Sequence, residues 1–330
     1  MEVAVFSSRE YDRIQLRQAL ADGGHRARFI TESLSLETAP LAEACQAVCI
    51  FVNDRADAPM LERLAAMGVR LLALRCAGTD HVDLPAARRL GIDVTRAGDY
   101  SPYSVAEHTL LLALALVRHL PQAVARTRAF NFALDGLVGF DLHGKTVGII
   151  GTGRIGTAFA GLLRGFGCQV LGYDICPNAG FEAHGGRPVP LAELQDRSDV
   201  ISLHCALNAQ TRHLVDAGFL ARCKPGMLLV NTSRGMVVDT AAVSDALANG
   251  QLGGFGTDVY EREAGLFFSD HSGDESKEPM LNALMAMPNV IVTGHQGFLT
   301  EQALAQIGAS VAESLGDFAA GRPLKNAVAD

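Results

Sequence analysis

The sequence predicts an α/β protein made of two doubly wound parallel-sheet domains, one inserted into the other. Three observations point there. Short apolar runs at residues 3–6, 47–51, 71–74, 146–150, 169–173, 200–203, 228–231 and 290–293 alternate with helical stretches. These runs are apolar on both faces, as parallel strands covered by helices on both sides must be. The alternation also comes in two blocks, each bordered by a long helical stretch.

The first block runs to residue 100. Ser101 then offers an N-cap and Pro102 suits the first turn of a helix expected through His119. A second α/β block follows. The tail over 299–320 reads as a helix that Thr300 could cap, returning the chain to the first domain. The expected division is therefore 1–100 with 297–330 as one domain and 101–296 as the other. Residues 263–280 form the least regular stretch and read as a long surface loop, a kind of segment that often carries function.

Composition narrows the function. The 330 residues are 48% hydrophobic and 19% charged, enough apolar material for two buried cores. The net charge of −8 argues against nucleic acid, which needs a basic face. The N-terminus lacks a basic segment leading into an apolar one and does not read as a signal peptide. The longest apolar run, 109–117, falls far short of the roughly 20 residues a membrane helix requires, so no membrane partner is expected. Seven cysteines, at 45, 49, 76, 168, 176, 205 and 223, show no CxxC pair. Reduced thiols in a cytoplasmic protein explain them better than disulfides, and no metal site is expected.

The strongest local motif is KTVGIIGTGRIG, a strand running directly into GxGxxG and then a helix. Gly151 would make the tight turn, Gly153 would admit a pyrophosphate, and Gly156 would let helix and strand pack closely. The helix N-terminus would face the negative charge. A second strand ends in Asp174, where an acid would bind the ribose 2′-hydroxyl. This is a Rossmann-type dinucleotide site. The carboxylate favours NAD over NADP, because it would repel a 2′-phosphate.

Three later segments each follow a strand: Asn231-Thr-Ser-Arg234-Gly, Asp258-Val-Tyr-Glu-Arg-Glu263 and Gly294-His295-Gln-Gly-Phe298. Ligands bind off the carboxyl ends of strands in open α/β sheets, so Arg234, a glutamate and His295 are candidates to converge there. Reducing a 2-keto acid needs a forked cation for the carboxylate, an acid for the carbonyl oxygen, and a partner for that acid.

These motifs, together with ALRCAGTDHVDL, YSPYSVAEH, SDVISLHC and GHQGFLTEQAL, resemble the D-2-hydroxyacid dehydrogenase family over almost the whole chain. The DVYEREAGLFFSD and GHQGFLT segments resemble its bacterial fermentative D-lactate dehydrogenases. The resemblance implies NAD-dependent reduction of pyruvate to D-lactate. It casts Arg234 as the carboxylate ligand, His295 as proton donor and Glu263 as the partner that keeps His295 charged. It assigns Ala77, Gly78, Tyr100 and Phe298 to the substrate. It assigns Arg154, Ile155, Cys205, Ala206, Thr211, Thr232 and Ser233 to the cofactor beside the three glycines and Asp174, and puts Asp258 at the nicotinamide end. CAGTDHVD departs from the commoner family form at Thr79 and His81. A homodimer or dimer of dimers is expected, with residues 101–119 and 131–140 as its interface.

Alternatives remain at this level. The substrate could be glyoxylate or a bulkier 2-keto acid, or the chain could be a dinucleotide-sensing binding protein of corepressor type. Glu261 rivals Glu263. His204 reads equally as a buried structural histidine, His108 as a bond across the domain junction, and His271 as a solvent-facing loop residue.

Overall fold

The computed structural model describes residues 1–98, 100–176, 178–274 and 278–328. The chain divides into two compact units, Met1–Ser101 with Phe298–Asp330, and Pro102–Gly297. The second unit lies wholly within the sequence of the first.

The first unit contains β1 (Glu2–Val5), α1 (Glu10–Asp22), β2 (Arg26–Phe29), β3 (Ala47–Ile50), α2 (Ala58–Ala66), β4 (Leu71–Leu74), α3 (Leu84–Arg89) and β5 (Asp93–Arg96). The second contains α4 (Pro102–Val117), α5 (Leu120–Arg128), β6 (Thr146–Ile150), α6 (Arg154–Gly165), β7 (Gln169–Tyr173), α7 (Ala179–Ala183), β8 (Gly186–Pro188), α8 (Leu191–Arg197), β9 (Val200–Leu203), α9 (Ala217–Arg222), β10 (Met227–Asn231), α10 (Thr240–Ala248), β11 (Leu252–Thr257), α11 (Pro279–Met285) and β12 (Val290–Val292). Helix α12 (Glu301–Ala319) belongs to the first unit, and the Thr300 side chain caps it through the amide of Ala303. Its Val311 and Leu315 are buried with Val3, Val5, Leu16, Leu20 and Leu71, so the tail completes one face of the first sheet.

Both sheets are parallel. The first has strand order β2-β1-β3-β4-β5, which reverses direction between β1 and β3. The second has order β12-β11-β10-β9-β6-β7-β8, which reverses between β6 and β9. A crevice opens at the carboxyl ends of the strands at such a reversal, because the flanking helices lie on opposite faces.

Strands β3, β4, β6, β9 and β10 are buried at every residue, which is why their apolar runs are legible in the sequence. Four others escaped the apolar pattern. β2 reads RARF and β5 reads DVTR, charged residues tolerated at sheet edges. β8 is three residues with a proline, also at an edge, and β11 is rich in glycine. The expected strand at 3–6 lies one residue earlier. Helix α4 stops at Val117 instead of His119, because His119 takes φ +48° and the chain bends by 66° into α5. Among the described residues, no single helix is long and apolar enough to cross a membrane. Among the described residues no disulfide forms; four of the seven cysteines are buried and Cys176 is exposed.

Candidate active site

The glycine motif sits where the second sheet reverses direction. Gly151 ends β6 with φ +94°, and a Cβ there would come 2.5 Å from the backbone nitrogen of Cys205, after β9. A Cβ on Gly156 would lie 2.1 Å from the Gly151 carbonyl, so α6 can approach the turn only as glycine. Gly153 has open space where its Cβ would be, and among the described residues no side chain caps α6. A bare helix N-terminus beside open space is what a pyrophosphate needs. Arg154 and Ile155 form the first turn of that helix. The Asp174 carboxylate accepts hydrogen bonds from the amides of Thr152 (2.7 Å) and Cys176 (3.1 Å), tying the acid to the glycine turn. The cradle fits a dinucleotide.

Across the reversal, β9 leads into His204, Cys205 and Ala206. Burial pushes the Cys205 thiol up to about 11, so it stays protonated. His204 contacts Ser202 Oγ at 2.6 Å and lies against Phe159; burial lowers it to about 3, and it remains neutral. Thr211 is held in its own turn, donating to the carbonyl of Ala206 at 2.7 Å. Thr232 and Thr109 share a hydroxyl contact of 2.7 Å, which ties the loop after β10 to α4.

That loop carries Arg234. The Asn231 side chain folds it: Oδ1 accepts the Ser233 amide at 3.0 Å, and Nδ2 donates to the Arg234 carbonyl at 3.0 Å. Gly235 follows, and a Cβ there would come 2.0 Å from the Tyr260 carbonyl carbon. Only glycine lets this loop lie directly on the segment that carries Glu263. The same segment is braced by Tyr260, whose amide donates to Glu263 Oε2 (3.0 Å) and whose hydroxyl donates to Glu278 Oε2 (2.7 Å).

Glu263 Oε1 meets His295 Nδ1 at 3.0 Å. An ionised carboxylate only accepts, so Nδ1 carries the hydrogen and Nε2 is left for a ligand. The Phe268 ring lies 5.6 Å from the imidazole. Glu261 goes elsewhere, to His213 Nε2 at 2.8 Å and the amide of Thr240, and these contacts help hold its carboxyl below the usual range against burial. Geometry thus separates the two rival glutamates. The expected long loop over 263–280 is irregular as far as Asp274; residues 275–277 lie outside the described ones.

Asp258 is buried, and its carboxylate takes the amides of Gln296 (2.9 Å) and Gly297 (2.8 Å) and the hydroxyl of Thr293 (2.6 Å). Burial raises its carboxyl, but His108, Thr293 and the Gln296 amide together bring it below the usual range. The side chain expected at the nicotinamide end is therefore turned into the His295 turn. His108 contacts Thr293 and Asp258 inside the second unit, where the sequence suggested a bond across the junction. His271 is not simply solvated; it pairs with Asp274 at 2.6 Å.

In the first unit, Ala77 and Gly78 follow β4 and are half-buried, with the Ala77 carbonyl accepting Arg96 Nη1 at 3.3 Å. Tyr100 is half-buried after β5. Phe298 is buried against Phe51 (ring centroids 5.5 Å apart) and Tyr11 (6.4 Å). Two features here had no sequence signal. Arg75 is fully buried against Asp12 at 3.2 Å, with its guanidinium over the Phe51 ring at 4.9 Å.

Comparison with known proteins adds to this geometry. Residues 110–297 match the family described as D-isomer specific 2-hydroxyacid dehydrogenase, NAD binding domain. A 2-hydroxyacid dehydrogenase homolog from Zymomonas mobilis is 46% identical, over 99% of this chain and 100% of its own length. The D-lactate dehydrogenase of Escherichia coli is 43% identical, over 99% of both chains. The structure reported for the pyruvate reductase of Chlamydomonas reinhardtii superposes with a TM-score of 0.91 at 42% identity, covering 99% of this chain and 98% of the other.

Proposed function

This chain belongs to the D-isomer specific 2-hydroxyacid dehydrogenase family and is an NAD-dependent enzyme, and from that premise we propose that it reduces pyruvate to D-lactate, reversibly. The observation that carries the reading is the Glu263–His295 pair, which leaves Nε2 of the imidazole for a reacting oxygen.

Arg234 binds the substrate carboxylate through its planar fork and polarises the neighbouring carbonyl. The family resemblance assigns Ala77, Gly78, Tyr100 and Phe298 to substrate binding as well. Bound NADH supplies the hydride. His295 gives its Nε2 proton to the carbonyl oxygen as negative charge develops there, and takes it back in lactate oxidation. Glu263 holds the ring in that orientation and fixes the hydrogen on Nδ1. Gly151, Gly153, Gly156, Arg154 and Ile155 hold the pyrophosphate, Asp174 the adenosine ribose, and Cys205, Ala206, Thr211, Thr232 and Ser233 the remainder of the cofactor. Asp258 acts near the nicotinamide by shaping the turn that bears His295.

Support for pyruvate comes from the relatives, two of which are named for lactate or pyruvate. The test is a panel of pyruvate, glyoxylate, 2-ketobutyrate and phenylpyruvate with NADH and chiral analysis of each product. Highest kcat/KM on pyruvate with D-lactate as product is expected; a clear preference for another acid overturns the lactate reading and leaves the family intact.

The enzyme acts as a homodimer or dimer of dimers in this reading. Phe130, Phe132, Leu134 and Val138, 67–88% exposed, form an apolar arm after α5 that suits a second copy. Sedimentation of Phe130→Asp should show a smaller species than the wild type. Seven cysteines with no disulfide among the described residues suit a reducing compartment, and we assign the enzyme to the cytoplasm.

A further inference from the structure

The turn that presents His295 is built around a buried carboxylate. His295 itself has φ +54°, a left-handed conformation that side chains resist. Its amide donates to the Asp258 carbonyl at 2.7 Å. The next two amides, of Gln296 and Gly297, donate to the two oxygens of the Asp258 side chain. A Cβ on Gly297 would lie 3.1 Å from that carboxylate, so the wrapping is close. Immediately before the turn, the Thr293 hydroxyl donates its one hydrogen to Asp258 Oδ1.

That last bond fixes the role of His108. Its Nε2 is 3.0 Å from the Thr293 hydroxyl and 3.3 Å from Asp258 Oδ1. The hydroxyl has no further hydrogen to offer and the carboxylate has none, so Nε2 must be the donor to both. His108 stands on α4, six residues past Pro102, where the chain enters the second unit; Gly297 is where it leaves. The contact therefore ties the entry helix to the exit turn through residues of one unit.

We propose that His108 is a positioning residue for catalysis: by donating to Asp258 and Thr293 it keeps the carboxylate gripping the 295–297 turn, and so holds the His295 imidazole on Glu263. This rests on the reading of His295 as proton donor. The physical need is plain. A buried carboxylate that loses a donor is destabilised as an anion. Once it takes up a proton, it is a poorer acceptor for the turn's amides. The ionisable groups around it are His108 from α4 and, further along the turn, His295 with its partner Glu263. Ionised Asp258 is favoured by His108 more than by any other neighbour, although burial opposes it.

The test is the pH profile of kcat for pyruvate reduction in His108→Phe, His108→Gln and His108→Phe/Asp258→Asn. His108→Phe should lose up to about 10²-fold in kcat, the scale of a small misplacement of a reacting group, with little change in the NADH Kd read by fluorescence. It should also gain an acid limb, activity falling as pH is lowered and Asp258 is protonated. His108→Gln keeps a donor at similar reach and should lack that limb. Asparagine cannot titrate, so the double variant should lack it too. A His108→Phe enzyme with wild-type kcat and profile overturns the proposal, as does a loss that is equal at every pH. His108→Gln decides in the same way should the phenylalanine variant not fold: a new acid limb despite the donor overturns it. His295→Ala serves as control. If it keeps the wild-type rate, the proton-donor reading falls and this inference with it; if it loses the rate while His108→Phe does not, this inference alone falls.

Discussion

Glu263 Oε1 stands 3.0 Å from His295 Nδ1, while Glu261, two residues earlier, is bound to His213 at 2.8 Å. The two carboxylates alternate along an irregular segment and serve different histidines. Replacing Glu263 with alanine removes the acceptor that fixes the Nδ1 hydrogen and the direction of Nε2. A small misplacement of a reacting group costs up to about 10²-fold, so Glu263→Ala should lose kcat for pyruvate reduction on that scale, with little change in the NADH Kd. Glu261→Ala, which frees His213 instead, should lose far less. Steady-state rates of the two variants decide this, and a wild-type kcat for Glu263→Ala would remove Glu263 from the role.

Asp174 should set the choice of cofactor. Its carboxylate already accepts the Thr152 and Cys176 amides and is half-exposed beside the glycine turn. A charged acceptor for a ribose hydroxyl contributes about 1.5–3 kcal/mol, or roughly ten- to a hundredfold in affinity. Asp174→Asn should weaken NADH by that order while improving NADPH, since the repulsion of a 2′-phosphate is gone. Steady-state kinetics with both cofactors measures it; an unchanged ratio places the ribose elsewhere.

What the sequence made legible follows the range of the interactions. The turn from β6 into α6 and the acid at Asp174 are local, with spacing that the backbone dictates, and both are visible as text. The buried central strands are visible because every side chain in them is apolar. Edge strands such as β2 are not, because one side faces water and arginine is tolerated there. The partners of His108 lie 150 and 185 residues away, beyond any periodic pattern. Glu278, which accepts from Tyr260 and Arg262, sits in the segment whose composition says only that it is irregular.

Arg75 shows the same limit in the first unit. In the run LLALRCAGTD it reads as a charge at the end of a strand, yet its side chain is 1% exposed. It donates to Asp12 Oδ2 at 3.2 Å and to the Ser7 carbonyl at 2.8 Å. Burial nevertheless outweighs this arginine and raises the Asp12 carboxyl. Arg75→Met strands that acid, and loss of one partner of a buried pair costs about 3–5 kcal/mol. Arg75→Met/Asp12→Leu should recover most of it, because neither charge then remains. Urea unfolding of the three proteins checks the expectation; additive losses would mean the pair is not coupled.

His204 should make the enzyme sensitive to acid. As a residue it is only partly buried, but its Nδ1 is sealed from solvent and has no hydrogen-bond partner among the described residues. Burial brings the imidazole down to about 3, while the unfolded chain titrates near about 6.5. Between those values the unfolded state binds a proton that the folded state refuses. Stability from this group is therefore complete above about pH 6.5 and falls as pH drops, by at most ~1.4 kcal/mol per pH unit. From pH 7 to 5 the loss should reach up to about 2 kcal/mol by that linkage. Glutamine at this position cannot titrate in the range, so His204→Gln should unfold in urea with a midpoint less dependent on pH, whatever its stability at pH 7. Parallel pH slopes for His204→Gln and wild type would show that this imidazole is protonated in the folded enzyme and that the acid sensitivity arises elsewhere.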